Sequence, residues 1–429
     1  MAARWRAPLR PPGAIRGDLA RLDPEHPRLM AHDVGRAQLS VATGNSPQAR
    51  GFAVETLLRS SPPVDAVLSV TVEEGLGAGR YPVVQRILRL KDEATGGAFD
   101  DSGTRGATGD PQVILRQDLL SVIRALHPAH VVLALPGNVE LLPFLVGLWE
   151  HRDGRSSLPD RYATGPVVHA IDPAVFRSDL DSVRTADRLW TGAGRGEPLT
   201  PAEAAVRQVE AADWLIASHD PLADGTPTAL LHHLNPAARL ITPAGPYATD
   251  RRLSVPSPVR SASDPGTWEA RLDPLAVPRR PAIAAHGVGS LLWRTRRPLH
   301  PGRLAEVLGG VLAGVVRSRG HLWLATRPDD VISWRSAGSH LQLQPTERWL
   351  LSGDPRWTAV HPQRRVMASW YWHDYFGERR NELVFTGTSL DGDRVLGAMN
   401  SALLTDAELI LGPEAWTTMA DPLLGDAPL

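Results

Sequence analysis

Short apolar runs and amphipathic stripes alternate through the first half of the chain. "QLSVAT" from Gln38, "DAVLSVTV" from Asp65, "HVVLAL" from His130, "PVVHAI" from Pro166, "WLIAS" from Trp214 and "ARLIT" from Ala238 read as strands. Between them, "AVETLLRS" from Ala53, "ILRQDLLSVIRAL" from Ile114 and "PAEAAVRQVEAA" from Pro201 repeat apolar positions at helical spacing. Nearly continuous apolar strands separated by amphipathic helices predict a doubly wound, mostly parallel α/β sheet covered on both faces. Residues 91–110 are rich in Gly and Asp and read as a flexible insertion. "RYPVVQ" before them either ends a strand or starts a helix.

The pattern changes after a Pro/Ser/Arg-rich stretch. "AIAAHGVGSLLWRT" from Ala282 predicts a long strand, and "HPGRLAEVLGGVLAG" a helix entered through Pro301, a position where the first turn tolerates proline. "HLWLATR" from His321, "VISWRSAG" from Val331, "LQLQP" from Leu341 and "ELVFTGTSL" from Glu382 follow as strands, and "DGDRVLGAMNSALL" from Asp391 as a helix. This is a smaller α+β domain. The expected organisation is an Arg/Pro-rich extension (1–37), an α/β domain (38–247), a linker (248–282), the α+β domain (283–412) and a tail (413–429).

Length and charge fit that division. The chain has 429 residues and net charge −1, enough for two or three domains and too balanced to hold a nucleic acid through its overall field. No DNA partner is expected, and RNA contact would need a local basic patch. There is no cysteine, which excludes disulfides, thiolate catalysis and Cys-based metal sites. Lys91 is the only lysine, so chemistry that needs a lysine elsewhere is excluded. Arg4, Arg6 and Arg10 lead into no signal-peptide core, and no run approaches the roughly 20 apolar residues of a membrane span. A cytoplasmic protein without membrane partners is expected.

The first strand, a loop and a helix lay out as a phosphate-binding loop does. A working loop reads G-x-x-x-x-G-K-[ST]: the glycines let backbone N–H groups face phosphate, the lysine neutralises its oxygens and the hydroxyl holds Mg²⁺. Gly44 matches the first glycine, but Ala49, Arg50 and Gly51 stand at the second glycine, the lysine and the hydroxyl. Arg50 keeps charge with a different reach. Gly51 offers no magnesium ligand. A helix starting after Gly51 would leave residual anion binding open.

Elsewhere, His127 with His130, and His232 with His233, lack acidic partners at helical spacing and read as surface or capping residues rather than metal ligands. Ser290 in "GVGSL" lacks the glycine spacing of a nucleophile elbow. The aromatic run "SWYWHDYF" (369–376) is either a binding platform or core packing. Arg294, Arg296, Arg297, Arg303, Arg317 and Arg319, interleaved with Trp293, Trp323 and Trp334 and followed by Arg327, form a candidate RNA or partner patch. Arginine beside exposed aromatics suits phosphate contact and stacking. The alternative is tryptophan in the core with arginine snorkelling or paired to carboxylates.

"RRPLHPGRLAEVL", "GVVRSRGHLWLATRPDDVISWRSAG", "FGERRNELVFTGTSLD" and "NSALLTDAEL" resemble, in this order over about residues 283–411, the C-terminal domain of CobW-type GTPases. That family comprises metallochaperones and zinc-homeostasis factors. The first domain is similar to the family's P-loop GTPase domain in strand order and in "VVHAIDPAVF" and "VRQVEAADWLIAS". Within the family the chain resembles an actinobacterial branch with eroded GTPase motifs, which includes a factor that recruits a hibernation protein to ribosomes under zinc starvation.

The resemblance implies two further motifs, and both depart from the family. The metal motif G-C-x-C-C aligns on Gly109, with Asp110, Gln112 and Val113 at the cysteine positions; a carboxylate, an amide and an isopropyl group make no tight soft-metal site. The guanine motif N-K-x-D aligns on Ser218, His219, Asp220 and Pro221. The expectation is a pseudo-GTPase without zinc or other cofactor. It would be a non-enzymatic adaptor of the zinc-starvation response, whose partner is the ribosome or a hibernation protein. The alternatives are a GTP-dependent metallochaperone or zinc-homeostasis protein, and a GTP-binding regulator without turnover.

Overall fold

The fold is that of a computed structural model. It describes residues 36–75, 81–91, 99–150, 157–182, 184, 188–192, 194–217, 225–241, 263–273, 275–276 and 283–425. The N-terminal extension up to residue 35, the guanine-motif positions Ser218 to Pro221 and most of the expected linker lie outside them.

The first domain runs β1 (Ala37–Gly44), α1 (Pro47–Leu58), β2 (Ala66–Glu73), β3 (Val83–Lys91), β4 (Phe99–Thr108), α2 (Pro111–Leu126), β5 (His130–Ala134), α3 (Leu141–Trp149), α4 (Leu158–Arg161), β6 (Tyr162–Ile171) and α5 (Pro173–Leu180). It continues with β7 (Arg188–Trp190), β8 (Arg195–Pro198), α6 (Pro201–Ala211), β9 (Trp214–Ala217), α7 (Thr226–Leu234), β10 (Arg239–Ile241) and α8 (Pro265–Leu272). The eight-stranded sheet has the order β10-β9-β6-β1-β5-β2-β3-β4. From β10 to β2 every pairing is parallel, and β3 and β4 add antiparallel strands at one edge. The chain therefore winds outward in both directions from β1, as the alternating pattern predicts. Apolar layers cover both faces, one around Leu39, Leu68, Leu133 and Val167, the other around Ala42, Leu57, Val132 and Trp214.

Two expectations change here. Part of the Gly/Asp-rich insertion is strand β4, paired along β3. It is an edge strand held by main-chain hydrogen bonds, so its sequence carries no apolar alternation. Part of the expected linker is helix α8, capped by the Asp264 side chain on the Thr267 N–H. Its Trp268 is buried edge-on to Trp149, ring centroids 5.3 Å apart. A single apolar anchor in a polar eight-residue helix leaves no stripe to read.

The second domain runs β11 (Val288–Thr295), α9 (Pro301–Leu312), β12 (Val315–Leu322), β13 (Asp330–Ala337), β14 (His340–Arg348), α10 (Pro362–Trp370), β15 (Asn381–Thr388), α11 (Gly392–Ser401), α12 (Asp406–Leu411) and α13 (Pro413–Trp416). Its antiparallel sheet has the order β11-β15-β12-β13-β14. α9 and α11 close one face over Trp293, Trp334, Leu383 and Phe385. The strand expected from His321 instead ends at Leu322, and β11 starts only at Val288. The expected tail packs on this domain: Trp416 is buried, Thr326 Oγ1 donates to Asp421 at 2.7 Å and Arg327 donates to the carbonyl of Gly425 at 3.0 Å. No helix among the described residues is long and apolar enough to cross a membrane.

Candidate functional site

In a doubly wound sheet, ligands bind in the crevice beyond the carboxyl ends of the strands, where the winding reverses. Here that place is the turn from β1 to α1. Ser46 and Pro47 decide its shape. The Ser46 hydroxyl caps the helix by accepting from the Ala49 N–H at 3.1 Å, and the Ser46 carbonyl accepts from the Arg50 N–H at 2.9 Å. Pro47, the first helical residue, has no N–H. The helix thus starts at Pro47, several residues before the sequence pattern placed it. Ala49, Arg50 and Gly51 lie inside it, and the N–H groups of Ala49 and Arg50 are already used.

The rest of the crevice is stitched by side chains. Asn45 donates to the Asp172 carbonyl at 2.9 Å and accepts from the Asp172 N–H at 2.8 Å. Arg50 Nη1 donates to the Val70 carbonyl at 3.1 Å, and Asn138 Nδ2 to the Val72 carbonyl at 2.8 Å. β5 pairs with β2 only as far as Ser69, so these two side chains take over carbonyls that β5 leaves unpaired. Burial lowers the pKa of Arg50 from its ordinary value. A Cβ on Gly44 would overlap the Arg50 nitrogen, and one on Gly137 would lie 3.2 Å from the Gly44 carbonyl oxygen. GTP with Mg²⁺ needs an open ring of N–H groups, a reaching cation and a hydroxyl. This turn supplies a closed one-serine cap, an arginine turned onto β2, and Gly51.

The degenerate metal-motif positions diverge as well. Asp110 Oδ1 caps α2 by accepting from the Gln112 N–H at 2.8 Å. The buried Gln112 amide donates to the Phe144 and Thr191 carbonyls at 3.0 and 2.9 Å, stapling α2 to α3 and to the β7–β8 turn. Val113 is 40 % exposed. The three side chains face three surroundings and do not converge. No cluster of three or more metal-ligating side chains occurs among the described residues.

The candidate arginine patch is resolved into pairs. Trp293, Trp323 and Trp334 are buried and unavailable for stacking. Arg294 pairs with Glu382, Arg296 donates to the Tyr371 carbonyl at 2.5 Å, Arg297 meets Asp406 at 2.5 Å and Arg303 meets Glu408 at 2.7 Å. Arg317, 5 % exposed, reaches Glu203 at 2.5 Å and Glu210 at 3.0 Å, and Arg319 reaches Glu210 at 3.2 Å. Arginine runs are legible in a sequence, but their distant carboxylates are not.

The Arg317 contacts belong to a larger junction. Arg207 on α6 binds Glu140, Glu197 and Glu203 at 2.6–2.8 Å, and Arg335 on β13 binds Glu197 at 3.2 Å. Glu140, at the end of the turn that follows β5, is thus tied to α6. Burial pushes Glu203 and Glu210 up, but the neighbouring arginines, Arg317 first, outweigh it and hold both below the usual carboxylate range. The network ties the two domains together, and the tight turn at Gly338 packs against Ala202.

The histidine pairs separate rather than converge. His127 ends α2 in a left-handed conformation (φ 48°), whereas His130 is buried between Ser40 Oγ at 2.8 Å and the Pro62 carbonyl at 3.0 Å. His233, also buried, meets Ser290 Oγ at 2.9 Å while His232 stays exposed. The surface reading therefore fails for His130 and His233.

The chain has relatives among known proteins. Residues 288–403 match the cobalamin synthesis protein cobW C-terminal domain. "Zinc chaperone Rv0106" of Mycobacterium tuberculosis is 31 % identical over 74 % of this chain and 78 % of its own length. "Zinc-regulated GTPase metalloprotein activator 1" of Dictyostelium discoideum is 30 % identical over 47 % of this chain and 42 % of its own. The Zn(II)-bound YjiA GTPase of E. coli aligns over 86 % of this chain and all of its own, with 15 % identity and a TM-score of 0.34. On the match to the C-terminal domain and the similarity spanning most of the mycobacterial protein, this chain belongs to the CobW-type family.

Proposed function

We propose that this protein serves metal homeostasis as a nucleotide-independent CobW-type adaptor, a pseudo-GTPase. The closed β1–α1 turn carries the reading: the backbone N–H groups and the arginine that would face phosphate are committed to Ser46 and to β2. The names of the relatives, a zinc chaperone and a zinc-regulated GTPase, support the setting. The lack of cysteine and the divergence of Asp110, Gln112 and Val113 favour a protein that does not carry zinc itself. The partner we propose, from the resemblance of the sequence, is the ribosome or a hibernation protein bound to it. The work is done by holding a partner, and the residues at the crevice keep the domain shut.

The second reading is a GTP-dependent metallochaperone, and the relatives' names favour it. One experiment separates the two. Thermal unfolding is followed with and without millimolar GTP and Mg²⁺. A ligand at 100 times its Kd stabilises by about 2.7 kcal/mol, so a nucleotide site gives a clear shift. The adaptor reading expects none, together with co-sedimentation with ribosomes. A shift that Arg50→Ala removes overturns it in favour of a nucleotide-binding protein, a GTP-binding regulator without turnover or the metallochaperone.

A further inference from the structure

A pocket on the second domain has walls built for one apolar side chain. Its floor is Trp323, packed edge-on against Phe376 (5.7 Å) and Trp416 (6.1 Å). The cavity is about 160 Å³ and is also lined by Tyr375, Arg379 and Ile410. That is below the roughly 300–1,000 Å³ of small-molecule sites. Both indole N–H groups are spent internally, Trp323 Nε1 on the Pro328 carbonyl at 3.1 Å and Trp416 Nε1 on the Glu408 carbonyl at 2.7 Å. Arg379 lies over Trp323 and is held by the Pro328 carbonyl and Asp329. The walls are therefore aromatic and the polar groups already occupied.

The rim leaves apolar surface in water. Ile410 is 84 % exposed, Leu411 64 % and Tyr375 48 %. α12 is fixed by a capping box between Thr405 and Glu408, so its last two residues are held outward by the fold. Isolated exposed apolar residues need no account, but apolar rim residues around an aromatic pocket mark an interaction site. Charge selects the occupant. Asp374, next to Tyr375, and Glu414, next to Pro413 of the lining, are exposed and have no ion pair among the described residues. Acidic groups repel a phosphate backbone and attract lysine and arginine.

We infer that this pocket docks a segment of another protein that carries one large apolar side chain flanked by basic residues. The apolar anchor seats between Tyr375 and Ile410, above the aromatic floor of Trp323, Phe376 and Trp416. Ile410 and Tyr375 exclude water around it, and Asp374 and Glu414 meet the flanking charges. The inference goes beyond the adaptor reading, because a zinc chaperone also needs a protein partner. Each can fail while the other stands.

The test uses the full chain and an array of labelled peptides read by fluorescence anisotropy. Each peptide has a central Leu, Met, Phe, Pro or Ala flanked by arginines, glycines or glutamates. Binding is expected for a large anchor between arginines, and about tenfold weaker, or 1.4 kcal/mol, with Ala at the centre or glutamates at the flanks. Ile410→Asp, at an exposed position that leaves folding intact, is expected to cost about the same factor without shifting the melting temperature. Asp374→Asn with Glu414→Gln is expected to flatten the salt dependence. No binding, equal binding of acidic peptides, or indifference to Ile410→Asp overturns the inference. So does sedimentation showing that Ile410→Asp dissociates a homodimer, which would make a second copy the occupant.

Discussion

Gln112 stands where the family resemblance places a metal-binding cysteine, and its amide holds the ends of three elements. Removing it leaves the Phe144 and Thr191 carbonyls without their buried donor. Gln112→Ala is expected to destabilise the fold by about 1–3 kcal/mol, the cost of unsatisfied buried groups, measured as a shift in the urea midpoint. Gln112→Cys is expected to bind no zinc in a chelator competition, because the side chain faces main-chain carbonyls. Gly44 is the matching case at the β1–α1 turn. A methyl group there meets the Arg50 nitrogen, so Gly44→Ala is expected to cost about 1–3 kcal/mol by overpacking, again in urea. That Arg50, Gly51 and Gln112 differ in type from the residues of the corresponding motifs was legible in the sequence. The new partners were not, because Val70, Thr191 and Phe144 are distant in sequence. One local signal was present: Ser46 followed by Pro47 is a helix start.

Helix α6 makes the point for a whole element. Its buried Ala202, Val206 and Val209 gave the amphipathic pattern that predicts it. A neighbouring stripe, Glu203, Arg207 and Glu210, is spaced to share a face, and a single sequence assigns such a face to solvent. The second domain covers it instead, with Arg317 and Arg319 as counter-charges, while Arg335 reaches Glu197 beside it. A buried charge that loses its partner is far more damaging than a surface one. Arg317→Ala is expected to lower stability by about 3–5 kcal/mol in chemical denaturation, and Arg317→Glu to abolish folding. Arg348→Ala, at an exposed arginine 3.8 Å from Asp330, is expected to change stability by less than about 1 kcal/mol. Equal effects of Arg317→Ala and Arg348→Ala would sink the account of α6 as a buried ionic junction. Strands β1, β2, β5, β6 and β9 were legible because both their faces are apolar, and β4 was not because its sequence carries no apolar alternation.

At the scale of the whole molecule, buried histidines set an acid limit. His169 on β6 is held down to about 4 by burial, from an ordinary 6.5. Burial, then Arg380, Arg364 and Arg294, push His321 well below 6.5. Both native pKa values are depressed, so the unfolded chain takes the proton first. Their contribution is complete above about pH 6.5 and is lost as pH falls toward the native values. For His169 the span corresponds to roughly 3 kcal/mol between pH 6.5 and 4. Urea midpoints across this range are expected to fall, and His169→Asn to flatten the slope. A slope unchanged by that substitution would show that His169 does not titrate as argued. The sequence by itself determined the α/β and α+β layers, because apolar periodicity is a local consequence of which side chains must leave water. It also showed that Ala49, Arg50 and Gly51 stand where a working phosphate loop has glycine, lysine and a hydroxyl, since residue type is read directly. Only the tertiary structure decided that the crevice is stitched shut, that the arginines are paired and that an aromatic pocket opens beside α12. Each of those depends on residues brought together from distant parts of the chain, and on which carboxylates and carbonyls the packing leaves within reach.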